Sequence, residues 1–371
     1  MADFDVGKGK IEQVREAIIE RIAADRLREG ARIPGECELS EVLGVSRNTV
    51  REAIGGLVQE GLLRRRRGSG TYLVGGSGRT GGSAGGRDAF RVGFVVFKSV
   101  GLAPTPYVLH VMHGLAEPSE SMPRMEITLL GSEPVFAEAG GLHFMDSARH
   151  RRVDGFLFSV VEHVAPGQLA ELREMGYPVV FLSADYPEGD YPSVRVDLAD
   201  GYAKVTQRLL FSGRRRIGVV AGRREGRSAA ACLGGYVTAH SRIGAACDLS
   251  LVRYTEGVEA AIVSAADGLV DAGADAVLCY DDEAAVKLVR HVQARGVRVP
   301  EDVAVVGAND TVGELADVPA LTTLRLPLGQ MGRACRDLFA RHGRGEAIGG
   351  GSIVFEPQLI IRQSALGDSG V

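Results

Sequence analysis

Tryptophan is absent from this chain of 371 residues, and the aromatic share is only 6%. That scarcity excludes little, but other absences exclude whole classes. The five cysteines, Cys37, Cys232, Cys247, Cys279 and Cys335, form no C-x-x-C pair and no Cys/His cluster with zinc-ligand spacing. Dispersed thiols in odd number suit a reducing cytosol rather than a disulfide scaffold. No apolar run approaches the ~20 residues of a membrane span. The opening residues, MADFDVGKGKIEQVRE, carry charge where a secretion signal needs an apolar core. A cytoplasmic location without membrane contact is therefore expected. There is no H-E-x-x-H helix, no Walker-type loop and no nucleophile-elbow serine between a strand and a helix. Lys98, Lys204 and Lys287 are the only lysines after residue 88, and none has the setting of a cofactor-binding lysine. The chain reads as a non-enzyme with no cofactor and no metal. A formal charge of −4 denies it a global basic field, so any nucleic-acid contact has to come from a local patch.

What is present divides at Gly75 to Asp88, GGSGRTGGSAGGRD. Glycine and serine bury nothing and lose much entropy on ordering, so such a run behaves as a tether. The expected domains are 1–75, a linker over 76–90, and 91–371. In the first, Ile11, Val14, Ile18 and Ile22 recur at helical spacing from Lys10 to about Ala24. A turn is expected from Arg28 to Pro34. Leu39, Val42 and Leu43 give a short second helix that Gly44 is placed to end. Ser46 is a good N-cap for a third helix whose Val50, Ile54, Leu57 and Val58 point one way. Two short strands, Leu62–Arg64 and Thr71–Val74, flank Arg65-Arg-Arg-Gly-Ser-Gly70.

The third helix and this hairpin carry the local charge. From Val42 to Gly75 there are six arginines against two glutamates, a net of +4. With the apolar residues facing inward, Arg47, Asn48 and Arg51 share the outer face in the first turns. Arginine offers a fork to guanine O6 and N7, and asparagine pairs with adenine, which is what a major-groove helix requires. Arg64 to Arg67, beside Gly68 and Gly70, suit the DNA backbone or a narrow minor groove.

These residues also resemble a known family. Ile33-Pro-Gly-Glu-Cys-Glu-Leu39, Leu43-Gly-Val-Ser-Arg-Asn-Thr-Val-Arg-Glu-Ala53, Leu57-Val-Gln-Glu-Gly-Leu62 and Gly68-Ser-Gly-Thr-Tyr72 are similar to the GntR-type winged helix-turn-helix over nearly all of residues 8–74. The resemblance implies DNA contacts from Arg47, Asn48, Thr49, Arg51 and Gly68; Arg66, Arg67 and Gly70 complete the expected set. Cys37 departs from the pattern, standing where many members have arginine.

After the tether, short apolar runs alternate with helices rich in Ala, Leu, Glu and Arg, so parallel sheets covered on both faces are expected. Polar groups follow directly on strand ends: Ser183-Ala-Asp185, Asp281-Asp282 and Asn309-Asp310. Ligands of parallel α/β sheets bind outside the carboxyl ends of the strands, and carboxylates and amides suit hydroxyl-rich molecules. N-capping is the alternative for Asp282, and a turn for Asp185.

This segment resembles the effector domain of the LacI/GalR repressors, akin to periplasmic sugar-binding proteins. Val153-Asp-Gly-Phe156, Gly213-Arg-Arg-Arg-Ile-Gly218, Asp275-Ala-Val277 with Asp281-Asp-Glu-Ala284, Val299-Pro-Glu-Asp-Val-Ala-Val-Val-Gly307, Leu321-Thr-Thr323 and Arg362-Gln-Ser364 fall in family order. The implied fold class is α/β: a winged helix-turn-helix plus a bilobal domain with two parallel-sheet lobes. The implied partners are double-stranded operator DNA, a sugar-like effector and a second copy of the chain. Effector contacts are expected from Tyr107 in the loop after the first strand, Asp185, Arg223, Asp282 and Asn309. Cys232 stands where members place a ligand-gripping arginine three residues before Gly235-Tyr236, and Arg223, Arg224 or Arg227 is the expected substitute. A repressor released by its effector is the expected function. The missing secretion signal and the DNA module separate the chain from transport binding proteins.

Overall fold

The structure is a computed structural model that describes residues 10–24, 27, 30–59, 63–66, 69–73, 89–96, 105–119, 124–132, 142–159, 164–183 and 190–365. In the N-terminal segment these form α1 (Lys10–Ala24), α2 (Glu36–Leu43), α3 (Arg47–Gln59), β1 (Leu63–Arg66) and β2 (Gly70–Leu73). Val14, Ile18, Leu39, Val50, Ile54 and Leu57 are buried together, in a cluster that runs from Val14 to Leu73 and takes in no later residue. Each such side chain contributes about 1.5–3 kcal/mol relative to exposure. Ile11 and Val42 were expected on the inner faces but are exposed. The inward stripes are narrow, Val14/Ile18 on α1 and Leu39/Leu43 on α2, each an i, i+4 pair.

Gly44 ends α2 in the left-handed region at φ 65°, and its N–H returns to Ser40 O. The expected turn before α2 is instead partly strand-like. Gly30 N–H donates to Leu73 O at 2.9 Å, Leu73 N–H to Ala31 O at 2.9 Å, and Ile33 N–H to Thr71 O at 2.9 Å. The β1–β2 hairpin, in register from Leu63↔Leu73 to Arg66↔Gly70, thus gains a third member.

Next come β3 (Ala89–Val96), α4 (Pro106–Ala116), β4 (Arg124–Gly131), β5 (Leu142–His143), α5 (Phe144–Arg149), β6 (Gly155–Phe158), α6 (Pro166–Glu174) and β7 (Val179–Leu182). They are followed by β8 (Ser193–Val196), α7 (Leu198–Phe211), β9 (Ile217–Ala221), α8 (Arg227–Ile243), β10 (Val252–Tyr254), α9 (Glu259–Asp271), β11 (Ala276–Cys279) and α10 (Asp282–Ala294). The last elements are β12 (Ala304–Asn309), β13 (Thr322–Arg325), α11 (Leu328–Gly343), β14 (Ser352–Phe355) and β15 (Gln358–Ile360). Of the expected linker only Ala89 and Phe90 are described, and they open β3. The Phe90 ring packs tilted against Phe339, at 36° with ring centroids 5.6 Å apart.

Two sheets result, ordered β14-β8-β7-β6-β3-β4-β5 and β10-β9-β11-β12-β13-β15. The pairs β3–β4, β3–β6, β6–β7, β9–β10, β9–β11, β11–β12 and β12–β13 are parallel, as the alternating pattern requires, while β15 adds antiparallel to β13. The described residues fall into two compact units, one within 1–98, 116–193 and 335–351, the other within 99–115, 194–334 and 352–371.

In the second unit, adjacent strand residues serve opposite faces of the sheet. Val219, Leu278 and Val306 pack with Tyr202 and Leu209 of α7 and Tyr236 of α8, while Val220, Val277 and Val305 pack with Ile262 and Leu269 of α9 and Leu288 of α10. Both faces are covered, so the strands read as continuous apolar runs. Thr322 and Ser364 are buried polar groups that pin residues 362–365 to this sheet. Ser364 Oγ donates to Val305 O at 2.6 Å and accepts from Thr322 N–H at 2.9 Å. Among the described residues no helix is long and apolar enough to cross a membrane.

Candidate nucleic-acid interface and effector site

The start of α3 is organised by its cap. Ser46 Oγ accepts from Thr49 N–H at 3.2 Å and shares a 2.8 Å hydrogen bond with the Thr49 hydroxyl. Arg47, Asn48 and Arg51 are exposed, opposite the buried Val50, Ile54 and Leu57. Arg51 is not loose. Its Nε donates to Glu36 Oε2 at 3.0 Å and its Nη1 to Asn48 Oδ1 at 3.5 Å. The other Glu36 oxygen accepts from Arg65 Nη2 at 3.0 Å. One carboxylate at the start of α2 therefore braces the helix face against the hairpin.

The strand period splits the arginine run, with Arg64 and Arg66 on one side of β1 and Arg65 on the other. The Arg66 guanidinium lies 4.9 Å from the Tyr72 ring centroid. Gly70 has φ 121°, and a Cβ there would meet Arg32 Nε at 2.7 Å, so this position requires glycine for local reasons as well. Arg67 and Gly68 lie outside the described residues. Cys37, in the position of a family arginine, is exposed beside Glu36 on α2. Glu36 and Arg32 were not singled out in the sequence, and Arg65 only as part of the hairpin run, because Glu36 meets Arg51 and Arg65 from 15 and 29 residues away and Arg32 lies against the distant Gly70.

The second candidate site lies at the carboxyl ends of β11 and β12. Asp281 is the N-cap of α10, its Oδ1 accepting from Ala284 N–H at 2.7 Å. Asp282 is 1% exposed. Its Oδ1 accepts from the Thr323 hydroxyl at 2.6 Å and its Oδ2 from Thr311 N–H at 2.8 Å. Burial raises the pKa of both carboxyls to about 6, outweighing those hydrogen bonds, which favour the charged form. Asp282 thus looks inward, onto the face of β12 that Gly307 leaves open. It anchors a turn in which Asn309 and Asp310 have φ of 98° and 55°, a left-handed strain that surrounding contacts must hold. Asp310 does so through Arg325 Nε at 2.6 Å and Arg362 Nη2 at 2.8 Å.

Beside this turn is a concavity of about 320 Å³ lined by Asn309, Asp310, Arg325, His110, Gln330 and Arg333, among others. Tyr107 is not in a loop as expected. It lies in the first turn of α4, which Pro106 opens with its fixed φ, three residues before His110. Arg223 is exposed in the turn after β9, where its carbonyl accepts from Gly226 N–H at 2.9 Å. Arg224 is committed elsewhere, its guanidinium 4.0 Å from the Tyr254 ring centroid. Cys232 is buried against Tyr202, and burial pushes its thiol pKa up, as expected of a core residue. Asp185 lies outside the described residues. Of the five expected effector residues, the structure brings Asn309 and Asp282 to one turn and puts Tyr107 on the helix that supplies His110. Asp310, Arg325 and Arg333 complete that neighbourhood.

Comparison with known proteins agrees with both halves. Residues 10–73 match the family model of bacterial regulatory proteins of the gntR family, and residues 206–365 match the periplasmic binding protein-like domain. The arabinose metabolism transcriptional repressor of Geobacillus stearothermophilus is 24% identical over 369 residues, covering 95% of this chain and 96% of that one. The HTH-type transcriptional regulator CelR of Thermobifida fusca is 33% identical over 230 residues, covering 58% of this chain and 67% of that one. Among solved structures, a CelR–cellobiose complex has a TM-score of 0.65 at 25% identity, covering 90% of this chain and 100% of the other. The lac repressor dimer bound to operator shares the fold, with a TM-score of 0.61 at 19% identity over 75% of this chain and 95% of that one. The chain belongs to the HTH-type transcriptional regulators that join a GntR-family DNA-binding domain to a LacI-type, periplasmic-binding-protein-like domain.

Proposed function

We propose that the chain is a cytosolic repressor, not an enzyme, that binds a pseudo-palindromic operator as a homodimer and is released by a small carbohydrate-derived effector. Its parts are a reader over 1–75, a linker over 76–90 and an effector domain over 91–371. Arg47, Asn48, Thr49 and Arg51 contact bases and adjacent phosphates, and Arg66, Arg67, Gly68 and Gly70 lie against the DNA backbone. The observation that carries this reading is the capped first turn of α3, which exposes two guanidinium groups and one carboxamide on a single face. Two-fold protein symmetry requires a two-fold site.

The effector class is supported by the relatives: one is named for arabinose metabolism, and a structural neighbour was solved with cellobiose. Tyr107, Asp185, Arg223 and Asn309 are assigned to the effector, with Asp282 holding the Asn309 turn from beneath. Effector and operator then oppose each other through their differential affinity for two states of the dimer, worth ~1–3 kcal/mol. The test is a fluorescence-anisotropy titration of the full chain at fixed salt with duplexes selected from a random library. Selected duplexes should bind ~10³-fold or more tighter than scrambled ones. A panel of pentoses, hexoses and their derivatives should include one that weakens binding about 5–150-fold. Equal affinity for selected and scrambled duplexes overturns the proposal.

A further inference from the structure

We propose, on the DNA-binding reading of residues 1–75, that Arg32 is a further contact to the DNA sugar-phosphate backbone, made from the outer face of the wing. It comes from the segment before α2, outside both the recognition helix and the hairpin. Three segments build that face: Gly30–Ile33 on one side, β2 in the middle and β1 on the other. Paired residues of a sheet share a face, and every second residue returns to it. Arg32 pairs with Tyr72, Tyr72 with Arg64, and Gly70 with Arg66. These five residues therefore lie on one side, opposite the side on which Ile33, Leu63 and Leu73 enter the core.

Gly70 makes the arrangement possible. A Cβ there would meet Arg32 Nε at 2.7 Å, so Arg32 leans across the middle strand, over the residue with which Arg66 pairs, toward the tip of the hairpin. Arg66 is placed by Tyr72, whose ring centroid lies 4.9 Å from the guanidinium. The ring is itself tied down, its hydroxyl donating to Ser69 O at 3.0 Å and bonded to Ser69 Oγ at 2.6 Å. A guanidinium resting on a ring face keeps its N–H edges for oxygen acceptors, and two oxygens of one phosphate match that fork.

Charge selects the partner. On the inner side a single carboxylate, Glu36, serves both Arg51 and Arg65. Arg32, Arg64 and Arg66 are all exposed, and among the described residues no carboxylate pairs with any of them. Three unbalanced cations on strands ~5 Å apart repel one another until anions come between them. Duplex DNA supplies such anions at about one charge per 1.7 Å of its axis.

The experiment is an anisotropy titration of the full chain with selected and scrambled duplexes over a salt series from about 50 to 200 mM. Arg32→Gln should lower the slope of log affinity against log salt by about 0.9 and weaken binding about 3–10-fold. Both duplexes should lose alike, because a phosphate contact carries no sequence information. Arg32→Lys, which keeps the charge, should restore slope and affinity, and adding Arg64→Gln to Arg32→Gln should about double the loss of slope. An unchanged slope in Arg32→Gln overturns the proposal. So do equal losses in Arg32→Lys and Arg32→Gln, which would assign Arg32 a folding role instead. If the duplexes bind and Arg32→Gln alone is silent, the DNA-binding reading stands without this surface. If the wild-type chain binds neither duplex, both fail.

Discussion

Replacing Asp282 by asparagine should change how the protein's stability responds to pH, by an amount the structure sets. The carboxyl is 1% exposed, and burial lifts its pKa from 3.8 to about 6 in the folded chain. Between those values the folded protein holds a proton that the unfolded chain releases. Stability from this group is therefore fully present below about pH 4 and is lost as pH rises through about 6. The shift spans about two pH units at ~1.4 kcal/mol each, or about 3 kcal/mol. Asparagine does not titrate in this range. Its oxygen can keep the bond from Thr311 N–H, and its NH₂ can donate to the Thr323 hydroxyl, which turns from donor to acceptor. Scanning calorimetry of both full-length proteins from pH 4 to pH 8 should show the variant gaining on the wild type between about pH 4 and pH 6 and the difference levelling off above that. The gain should reach about 3 kcal/mol, or some 6–12 °C for a unit of this size. Asp281, also raised to about 6, loses a like-charged neighbour in the variant and moves the result the same way. A difference between the two proteins that stays constant from pH 4 to pH 8 would refute the reasoning.

Arg51→Ala should cost ~1–3 kcal/mol of affinity for the selected duplex, read by anisotropy, and unchanged affinity removes it from the reading face. Glu36→Gln releases two guanidinium groups that are about half exposed, so folding stability should move by less than ~1 kcal/mol per pair. Binding to random duplex should strengthen and its salt dependence steepen by about one phosphate contact or more; an unaltered salt slope speaks against the brace. Gly332→Ala should destabilise by ~1–3 kcal/mol, because its Cβ would press on the α4 backbone at Val111 O and Leu115 N. An unshifted melting curve would show that α4 and α11 have room to part.

Local signals were readable where the bonds are local. Ser46 and the Val50, Ile54, Leu57 spacing specified α3 and its outer face, since the cap and the helix bonds all lie within a few residues. The same signals were present for α4, where Pro106 precedes Val108, Val111 and Leu115 at helical spacing. Tyr107 was nevertheless assigned to a loop. What sequence could not supply was pairing across distance. Gly30–Ile33 joins β2 some 40 residues later, and Glu36 meets arginines on two other elements. At the effector turn the position of Asp282 after β11 was legible. Whether its carboxylate faced outward or inward was decided by Thr311, in the turn after β12, and Thr323 of β13. Arg325 and Arg362 as partners of Asp310 were hidden for the same reason.

The first unit is completed by residues 335–351, made long after its strands. Phe339 from that late segment fills the space beside Gly155 and packs at a tilt against Phe90, and Arg336 reaches Glu117 O at 3.1 Å. On the ribosome, β3 and β6 must therefore wait for their last packing partner while residues 194–334, most of the second unit, are synthesised. At ~5–20 residues per second that interval is on the order of 10–30 s. Throughout it an apolar surface stays uncovered. A nascent chain stalled or cut before residue 335 is thus a ready client for chaperones, whatever the strength of its finished reader.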